Sequence, residues 1–424
     1  MRISDAEHLD WILGRIGRLD PALLPLGKAS GLTLARTVES PSELPIWDNS
    51  AMDGYALRAA DIVAATERDP AALALVGEVA AGSAEDPRIG PGEAVRIMTG
   101  APLPSDADTV VPVEETVPLD GGADPASAEP RGTWAERRVG ILRPFAAVAN
   151  VRRSGEDVRA GEALAEAGER LGPARLAALA AAGVTEALVR PRPRIGIVVT
   201  GSELTPPGAR LERGQIPESN SVLLSALAAE EGVELVAVEV CSDDVPSLRE
   251  RLARLAGSCD VVITSGGVGP GRHDIVRIAL EEEPEVRAVR VAVKPGQPQC
   301  TGRLAAGAWI FALPGNPVSA AVSFELFVRP ALRALQGRSD TAKLRIPATA
   351  ELGWRGAAGR LQVLPVRITQ GAGGLACRPA VDPRGVSHAV GRHGGSDGYA
   401  LVGPDRGDIA PGDPVDVILS GAGS

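Results

Sequence analysis

The chain has 424 residues, a formal net charge of −10 and 44% hydrophobic residues. That length exceeds one ordinary core and calls for about three or four domains, and the acidic balance argues against nucleic acid or an anionic membrane surface as a partner. No apolar run is long enough to span a bilayer, the first residues lack the basic-then-apolar order of a signal peptide, and four cysteines (Cys241, Cys259, Cys300, Cys377) with neither CxxC nor zinc spacing suit a reducing cytoplasm.

In chain order, residues 6–19 carry a helical pattern and lead into Pro-rich connections up to Trp47. Asp48, Asn49, Ser50 and Asp53 then crowd into six positions beside Gly54, a cluster that turn chemistry alone can explain. Short β-like segments at 73–79, 93–97 and 108–113 flank a rigid Met98-Thr-Gly-Ala-Pro-Leu-Pro loop and predict a β-rich domain. A Gly/Ala/Pro/Glu-rich surface loop is expected over 120–131, β character returns at 139–148, and an Ala-rich helix is expected over 174–182. Beyond an Arg/Pro linker at 190–194, apolar β runs (195–199, 235–240, 261–264, 289–293, 309–313) alternate with helices (221–231, 245–256, 274–282, 318–335). Such alternation predicts a doubly wound parallel sheet covered by helices on both faces. Asn316 is placed to cap the last helix and Pro317 to occupy its first position. Residues 338–424 change to Gly-punctuated strands, the pattern of a small β-barrel or sandwich.

Ligands of open α/β sheets bind beyond the carboxyl ends of the strands, so the residues following each strand carry the chemistry. These are Thr200-Gly-Ser-Glu203, Cys241-Ser-Asp-Asp244, the loop from Ser265-Gly-Gly to Asp274, Lys294-Pro-Gly-Gln-Pro298 and Pro314-Gly-Asn-Pro-Val-Ser319. Glycine loops with free backbone N–H groups cradle phosphate, and clustered carboxylates beside them suit Mg²⁺, a hard cation that completes its shell with phosphate oxygens. Each residue also has a plain structural reading. Asp243 or Asp244 can cap the following helix, Glu203 can be a solvated loop residue, Asp274 can favour a helix start, and Lys294 can be an ordinary surface lysine. Only three of the 44 basic residues are lysine, which singles Lys294 out as a point charge for an anionic ligand. Neither GxGxxG nor the P-loop is present, and His8, His273, His388 and His393 are scattered.

Taken in order, Asp48-Asn-Ser-Ala-Met-Asp-Gly-Tyr, Met98-Thr-Gly-Ala-Pro, Ser265-Gly-Gly-Val, Lys294-Pro-Gly and Leu313-Pro-Gly-Asn-Pro-Val-Ser resemble the MoeA family of molybdopterin molybdenumtransferases. That family is related to the E domains of gephyrin and plant Cnx1, and the resemblance covers essentially the whole chain. It implies a homodimer whose subunits have a discontinuous linker and dimerisation domain (1–47 with 143–190), a β-rich domain (48–142), an α/β domain similar to the molybdopterin-adenylyltransferase fold (191–336) and a C-terminal β-barrel (337–424). It also implies Mg²⁺-dependent insertion of molybdate into adenylylated molybdopterin with release of AMP, and an adenylyltransferase as a possible partner.

Carried over position by position, the resemblance implies metal positions at Glu203, Asp243 or Asp244, and Asp274, and catalytic positions at Asp274, Lys294 and Asp53. Cofactor-binding positions follow at Thr200, Gly201, Ser219, Asn220, Ser265, Gly266, Gly267, Pro314, Gly315, Asn316 and Ser319. Asp53, Thr99 and Arg152 match positions that resemble the second subunit's contribution to the cleft. Four departures stand out: Gln297 replaces the second lysine of KPGKP, Gly269 replaces the usual serine after Gly-Gly-Val, Arg277 replaces a frequent lysine, and the 385–393 run lacks an expected serine. Arg272, Arg277 and Arg392 are the candidates for restoring the charge lost at Gln297. Two further readings therefore stand beside metal insertion: a divergent carrier or sensor of the pterin, and a scaffold without enzymatic activity.

Overall fold

The computed structural model describes residues 2–119, 136–272, 274–371 and 373–421, so the expected 120–131 loop and His273 lie outside the described residues. The chain forms two compact units. One comprises Met1–Arg36, Ala167–Gly172 and Leu188–Ser424, and the other Thr37–Glu166 and Pro173–Ala187. No helix among the described residues is long and apolar enough to cross a membrane.

The first unit is built on a seven-stranded sheet of β1 (Arg2–Ile3), β2 (Arg194–Thr200), β3 (Glu234–Cys241), β4 (Val261–Ser265), β5 (Glu285–Val291), β6 (Pro298–Arg303) and β7 (Trp309–Leu313), in the order β1-β5-β6-β7-β4-β2-β3. Every neighbouring pair is parallel except those that involve β6. The expected parallel sheet therefore carries one reversed strand. The sequence pattern missed β6 because it opens on Pro298 and contains Gly302, two residues that weaken a strand reading. Both have a place here: a Cβ on Gly302 would lie 2.1 Å from the Glu285 carbonyl oxygen, so the close pairing with β5 requires glycine.

Near-continuous apolar runs in β2, β4 and β7 reflect burial on both faces. Ile197, Ile263 and Phe311 point into one core, and Val198, Val262 and Ile310 into the other. Helices α1 (Asp5–Leu13), α2 (Asn220–Glu230), α3 (Val245–Ala256) and α4 (Ile275–Ala279) accompany the sheet. Helix α1 is shorter than expected. It opens on a capping box, with Ser4 Oγ accepting from Glu7 N at 3.1 Å and Glu7 Oε2 accepting from Ser4 N at 2.7 Å, and it stops at Gly14.

The expected uninterrupted helix over 318–335 is instead α5 (Pro317–Ser323), a π-helical turn (Phe324–Val328) and α6 (Arg329–Leu335). Pro330 gives the physical reason. Inside a helix a proline lacks the N–H and its ring clashes with the carbonyl four residues back, which opens the preceding turn. The same helix carries a buried charge network. Arg329, 1% exposed, forks onto Glu325 with two 2.8 Å bonds and reaches Glu230 at 2.8 Å and Glu231. Glu231 in turn takes Arg333 at 2.8 and 3.0 Å and Arg338 at 3.1 Å.

Strands Ile346–Ala350, Leu361–Gly371, Gly374–Pro379, Gly398–Val402 and Pro414–Leu419 close into the C-terminal β-barrel, with Leu361–Gly371 paired to both Gly374–Pro379 and Gly398–Val402. One core cluster runs without a break from Ile263 and Phe311 of the sheet through Phe324 and Leu332 to Val363, Ala400 and Val417 of the barrel.

The second unit centres on a six-stranded sheet in the order Thr116–Pro118, Arg138–Ile141, Ala71–Val79, Glu93–Ile97, Gly54–Leu57 and Thr109–Pro112. Alternation along Gly54–Leu57 sends Tyr55 and Leu57 into one apolar cluster and Ala56 into another, so this strand is covered on both faces. The Ala-rich helix of this unit spans Pro173–Ala181.

Candidate functional site

The carboxyl ends of β2, β4 and β7 open into a cleft of about 480 Å³ in the first unit. Two glycine turns form its back wall. After β4, Gly266 and Gly267 have φ of +102° and +61°. A Cβ on Gly266 would lie 2.5 Å from the Thr200 carbonyl oxygen, and one on Gly267 3.0 Å from Val276 N. Only glycine meets both demands. After β7, Gly315 approaches Gly266 so closely that its Cβ would lie 3.3 Å from Gly266 Cα. Asn220, the first residue of α2, ties the two turns together: Nδ2 donates to Ser265 Oγ at 2.8 Å and to the Gly315 carbonyl at 2.6 Å. Ser265 Oγ donates onward to the Pro314 carbonyl at 3.2 Å.

Asp274 organises the loop that follows. Its carboxylate accepts from Gly269 N and Gly271 N, each at 2.7 Å, and so folds the loop back on itself. Arg277 braces the loop from the helix side. Its Nε donates to the Gly269 carbonyl at 3.0 Å, and its guanidinium also bonds Glu281 Oε1 at 2.7 Å. A Cβ on Gly269 would lie 2.9 Å from both Asp274 carboxylate oxygens. Gly269→Ser is accordingly expected to displace the Asp274 carboxylate and release the loop, which a several-fold rise in tryptic cleavage after Arg272 would register; unchanged cleavage would contradict it.

On the opposite side, Asp243 accepts from Ser202 N at 2.9 Å and lines the cleft with Glu203. Asp244 behaves differently. It caps α3, accepting from Ser247 N at 2.9 Å, and does not line the cleft. Glu218 is a wall residue that the sequence pattern missed. It is buried, and it holds Ser221 N at 2.9 Å and the Ser221 hydroxyl ahead of α2. Its signal was the carboxylate three residues before a serine at a helix start. Thr200, Gly201, Ser219, Pro314 and Asn316 also line the cleft, whereas Ser319 is buried in the first turn of α5. Asn316 stands at the cap position of α5, but its side chain makes no capping hydrogen bond.

Among the described residues the cleft lining contains four carboxylates (Glu203, Glu218, Asp243, Asp274) and no lysine or arginine. Among the described residues no three His, Cys, Asp or Glu side chains converge closely enough to enclose a metal by themselves. Lys294 sits elsewhere. The chain leaves the sheet after β5, and Val293–Lys294 pairs instead with Leu361–Gln362 of the barrel. There Lys294 Nζ donates to the Pro383 carbonyl at 3.1 Å. Burial, reinforced by Arg360 and Arg355, pushes its ammonium below the usual lysine range.

In the second unit, the Asp53 carboxylate accepts from Thr99 N at 2.7 Å and from Thr99 Oγ1 at 2.8 Å. Those two bonds, the backbone one foremost, hold the exposed carboxyl below its usual range. Arg152 pairs with Asn49 in a short antiparallel ribbon. Asp48, by contrast, is spent on Ser154 N at 2.8 Å and on Arg153.

Family comparison accounts for nearly the whole chain. Residues 3–183 match the MoeA N-terminal region (domains I and II), 196–334 a probable molybdopterin binding domain, and 347–420 the MoeA C-terminal region (domain IV). The chain belongs to the MoeA family. It is 43% identical over 343 residues to molybdopterin molybdenumtransferase 2 of Mycobacterium tuberculosis H37Rv, covering 80% of each chain. It is also 33% identical to the molybdopterin molybdenumtransferase of Haemophilus influenzae, over 80% of this chain and 79% of that one. Both relatives are transferases by name. Among solved structures, the molybdopterin biosynthesis MoeA protein of Pyrococcus horikoshii OT3 superposes with a TM-score of 0.81 at 27% identity, over 99% of this chain and 100% of that one.

Proposed function

We propose that this transferase acts in molybdenum cofactor biosynthesis, inserting molybdate into adenylylated molybdopterin with Mg²⁺ dependence and release of AMP. The observation that carries the reading is a glycine-walled cleft, in the segment matched as a probable molybdopterin binding domain, lined among the described residues by four carboxylates and no lysine or arginine. A pyrophosphate-linked dianion beside four carboxylates is repelled unless a cation stands between them. Mg²⁺ fits that need, since it binds through one or two carboxylates plus phosphate oxygens and keeps several waters. Glu203 and Asp243 would hold it, and it would supply charge neutralisation to the pyrophosphate and to the departing AMP.

The chain's own residues supply the remainder. The N–H groups of the Gly266–Gly267 turn cradle phosphate oxygens, and Asp274 and Arg277 keep the adjoining loop in one geometry. The Lys294 ammonium, with Arg355 and Arg360 nearby, offers the incoming oxyanion a positive site on the barrel side. Positioning and electrostatics, with no covalent enzyme intermediate, do the work. A second copy of the chain would complete the cleft with Asp53, Thr99 and Arg152, making the working form a homodimer. Molybdopterin adenylyltransferase is the expected donor of the adenylate. Four unpaired, buried thiols agree with a cytoplasmic setting.

Purified protein given the adenylate, molybdate and Mg²⁺ is expected to release AMP stoichiometrically. Chelation with EDTA should bring the rate to background, and Mg²⁺ should restore it. Binding of the adenylate without AMP release would instead favour the second reading, a pterin carrier or sensor. That alternative draws on Gln297 and on the engagement of Arg277 with the loop carbonyl and Glu281, which removes one candidate for replacing the lost lysine charge. Gain of AMP release by Gln297→Lys would then identify the missing charge.

A further inference from the structure

Residues 292–297 join β5 to β6 and lend Val293 and Lys294 to the barrel on the way. The Lys294 ammonium is thus presented by a turn that has to be held from two sides. On the barrel side Gln362 serves. It is fully buried, lies opposite Lys294 in the strand register, accepts from Trp354 Nε1 at 3.2 Å and donates Nε2 to the Arg355 carbonyl at 3.1 Å. Lys294 and Arg355 therefore share one frame. On the α/β side the counterpart is Gln299 of β6, 1% exposed. Its Nε2 donates to the Gly296 carbonyl at 2.8 Å and to Ser323 Oγ, at the end of α5, at 2.7 Å. Gly296 has φ of +100°, and a Cβ there would lie 2.9 Å from Ser323 Oγ, so the turn is seated against the helix. Among the described residues, Gln299 is the only side chain that hydrogen-bonds the backbone of 292–297.

We propose that Gln299 is a positioning residue for the oxyanion, holding the turn so that the Lys294 ammonium stands at a fixed spacing from Arg355 and Arg360. That assignment rests on the reading above that Lys294 receives molybdate. The Gly296 carbonyl can only accept, which fixes the Gln299 amide and leaves its Oε1 buried without a hydrogen bond. An apolar side chain of the same length would fill the space with no orphaned acceptor. What it would lack is the pair of N–H groups that ties the turn to α5. Among the described residues none of Lys294, Arg355 and Arg360 pairs with a carboxylate, so the three charges repel and spread apart if the turn is freed. A receptor held together in advance spares the anion that reorganisation. Neither Gln299 nor Lys294 lines the carboxylate cleft, so loosening the turn falls on the oxyanion and not on the adenylate.

The chain has only three lysines, Lys28, Lys294 and Lys343, so full-length protein with isotope-labelled lysine gives three side-chain NMR signals, and Lys294→Arg assigns the relevant one. Titration with molybdate alone is expected to shift the Lys294 signal of wild type. In Gln299→Met the half-saturating molybdate concentration should rise about tenfold, with affinity for the adenylate unchanged. Ser323→Ala removes one of the two acceptors and should raise it about threefold; it decides alone if Gln299→Met does not fold. Half-saturation equal to wild type in these variants, or a loss that falls equally on the adenylate, would overturn the assignment of Gln299 and leave the oxyanion reading of Lys294 standing. A wild-type Lys294 signal blind to molybdate would overturn that reading, and the assignment with it.

Discussion

Arg329→Ala is expected to destabilise the first unit by about 3–5 kcal/mol, the usual cost of removing one partner from a buried charge network. The substitution takes from Glu325, which is buried, the guanidinium that forks onto it and leaves it only Lys343 Nζ at 3.7 Å, and it takes from Glu231 one of three guanidinium partners. Chemical denaturation at pH 7 measures the loss as a lower midpoint. A midpoint for Arg329→Ala within 1 M of wild type in urea, about 1–3 kcal/mol on typical slopes, would contradict the expectation. The pH dependence has a definite sign. Burial alone would raise the Glu231 carboxyl, but Arg333 and Arg329 hold it below its ordinary value. Its folded pKa is therefore lower than its unfolded one. The contribution is complete above the ordinary carboxylate range and is lost as the pH falls through that range towards the folded value. Wild type should thus lose more stability than a Glu231→Gln variant between pH 7 and pH 4.

Gly266→Ala is expected to lower the rate of AMP release about a hundredfold while costing the fold only about 1–3 kcal/mol. The added methyl would sit 2.5 Å from the Thr200 carbonyl oxygen, a backbone atom that cannot swing aside, and φ at this residue is +102°. The turn must therefore shift by the order of an ångström, and with it the amides of the turn and the contact with Gly315. Circular dichroism and Tm should report a folded protein, while adenylate binding and turnover fall together. Near-normal turnover would show that the amides of this turn do not hold the reacting group.

Much of this was legible from the sequence, and the failures have physical causes. The two glycine turns were readable because a strand ending on Gly-Gly or Pro-Gly-Asn-Pro leaves the chain little other conformation. Asp274 was readable as a helix-start acid, but its capture of Gly269 N and Gly271 N is a five-residue folding-back that spacing does not encode. Asp243 and Asp244 were indistinguishable as neighbours; the capping geometry of α3 separates them by consuming Asp244. Lys294 was expected on the same rim as the carboxylates because it follows an apolar run. What the pattern could not show is that β5 ends at Val291 and that, after Ala292, Val293 and Lys294 join a different sheet. Pro330 inside a strong helical period was the visible sign of the π-helical turn, and the period outweighed it. Strand β6 was hidden because its proline and glycine are tolerated only by virtue of the partner strand, a tertiary fact.

The continuous core between sheet and barrel bears on how this protein could have been assembled and how it could be dissected. Modules that evolve as exchangeable parts usually meet through polar, separable surfaces. Here Val293 and Lys294 are strand residues of the barrel encoded in the middle of the α/β segment, and Phe324 and Leu332 belong to the same apolar cluster as Val363 and Val417. The barrel is therefore not a detachable appendage. A chain cut after residue 337 would leave Val293 and Lys294 without their sheet partner and bare the apolar side that Phe324 and Leu332 present to the barrel core.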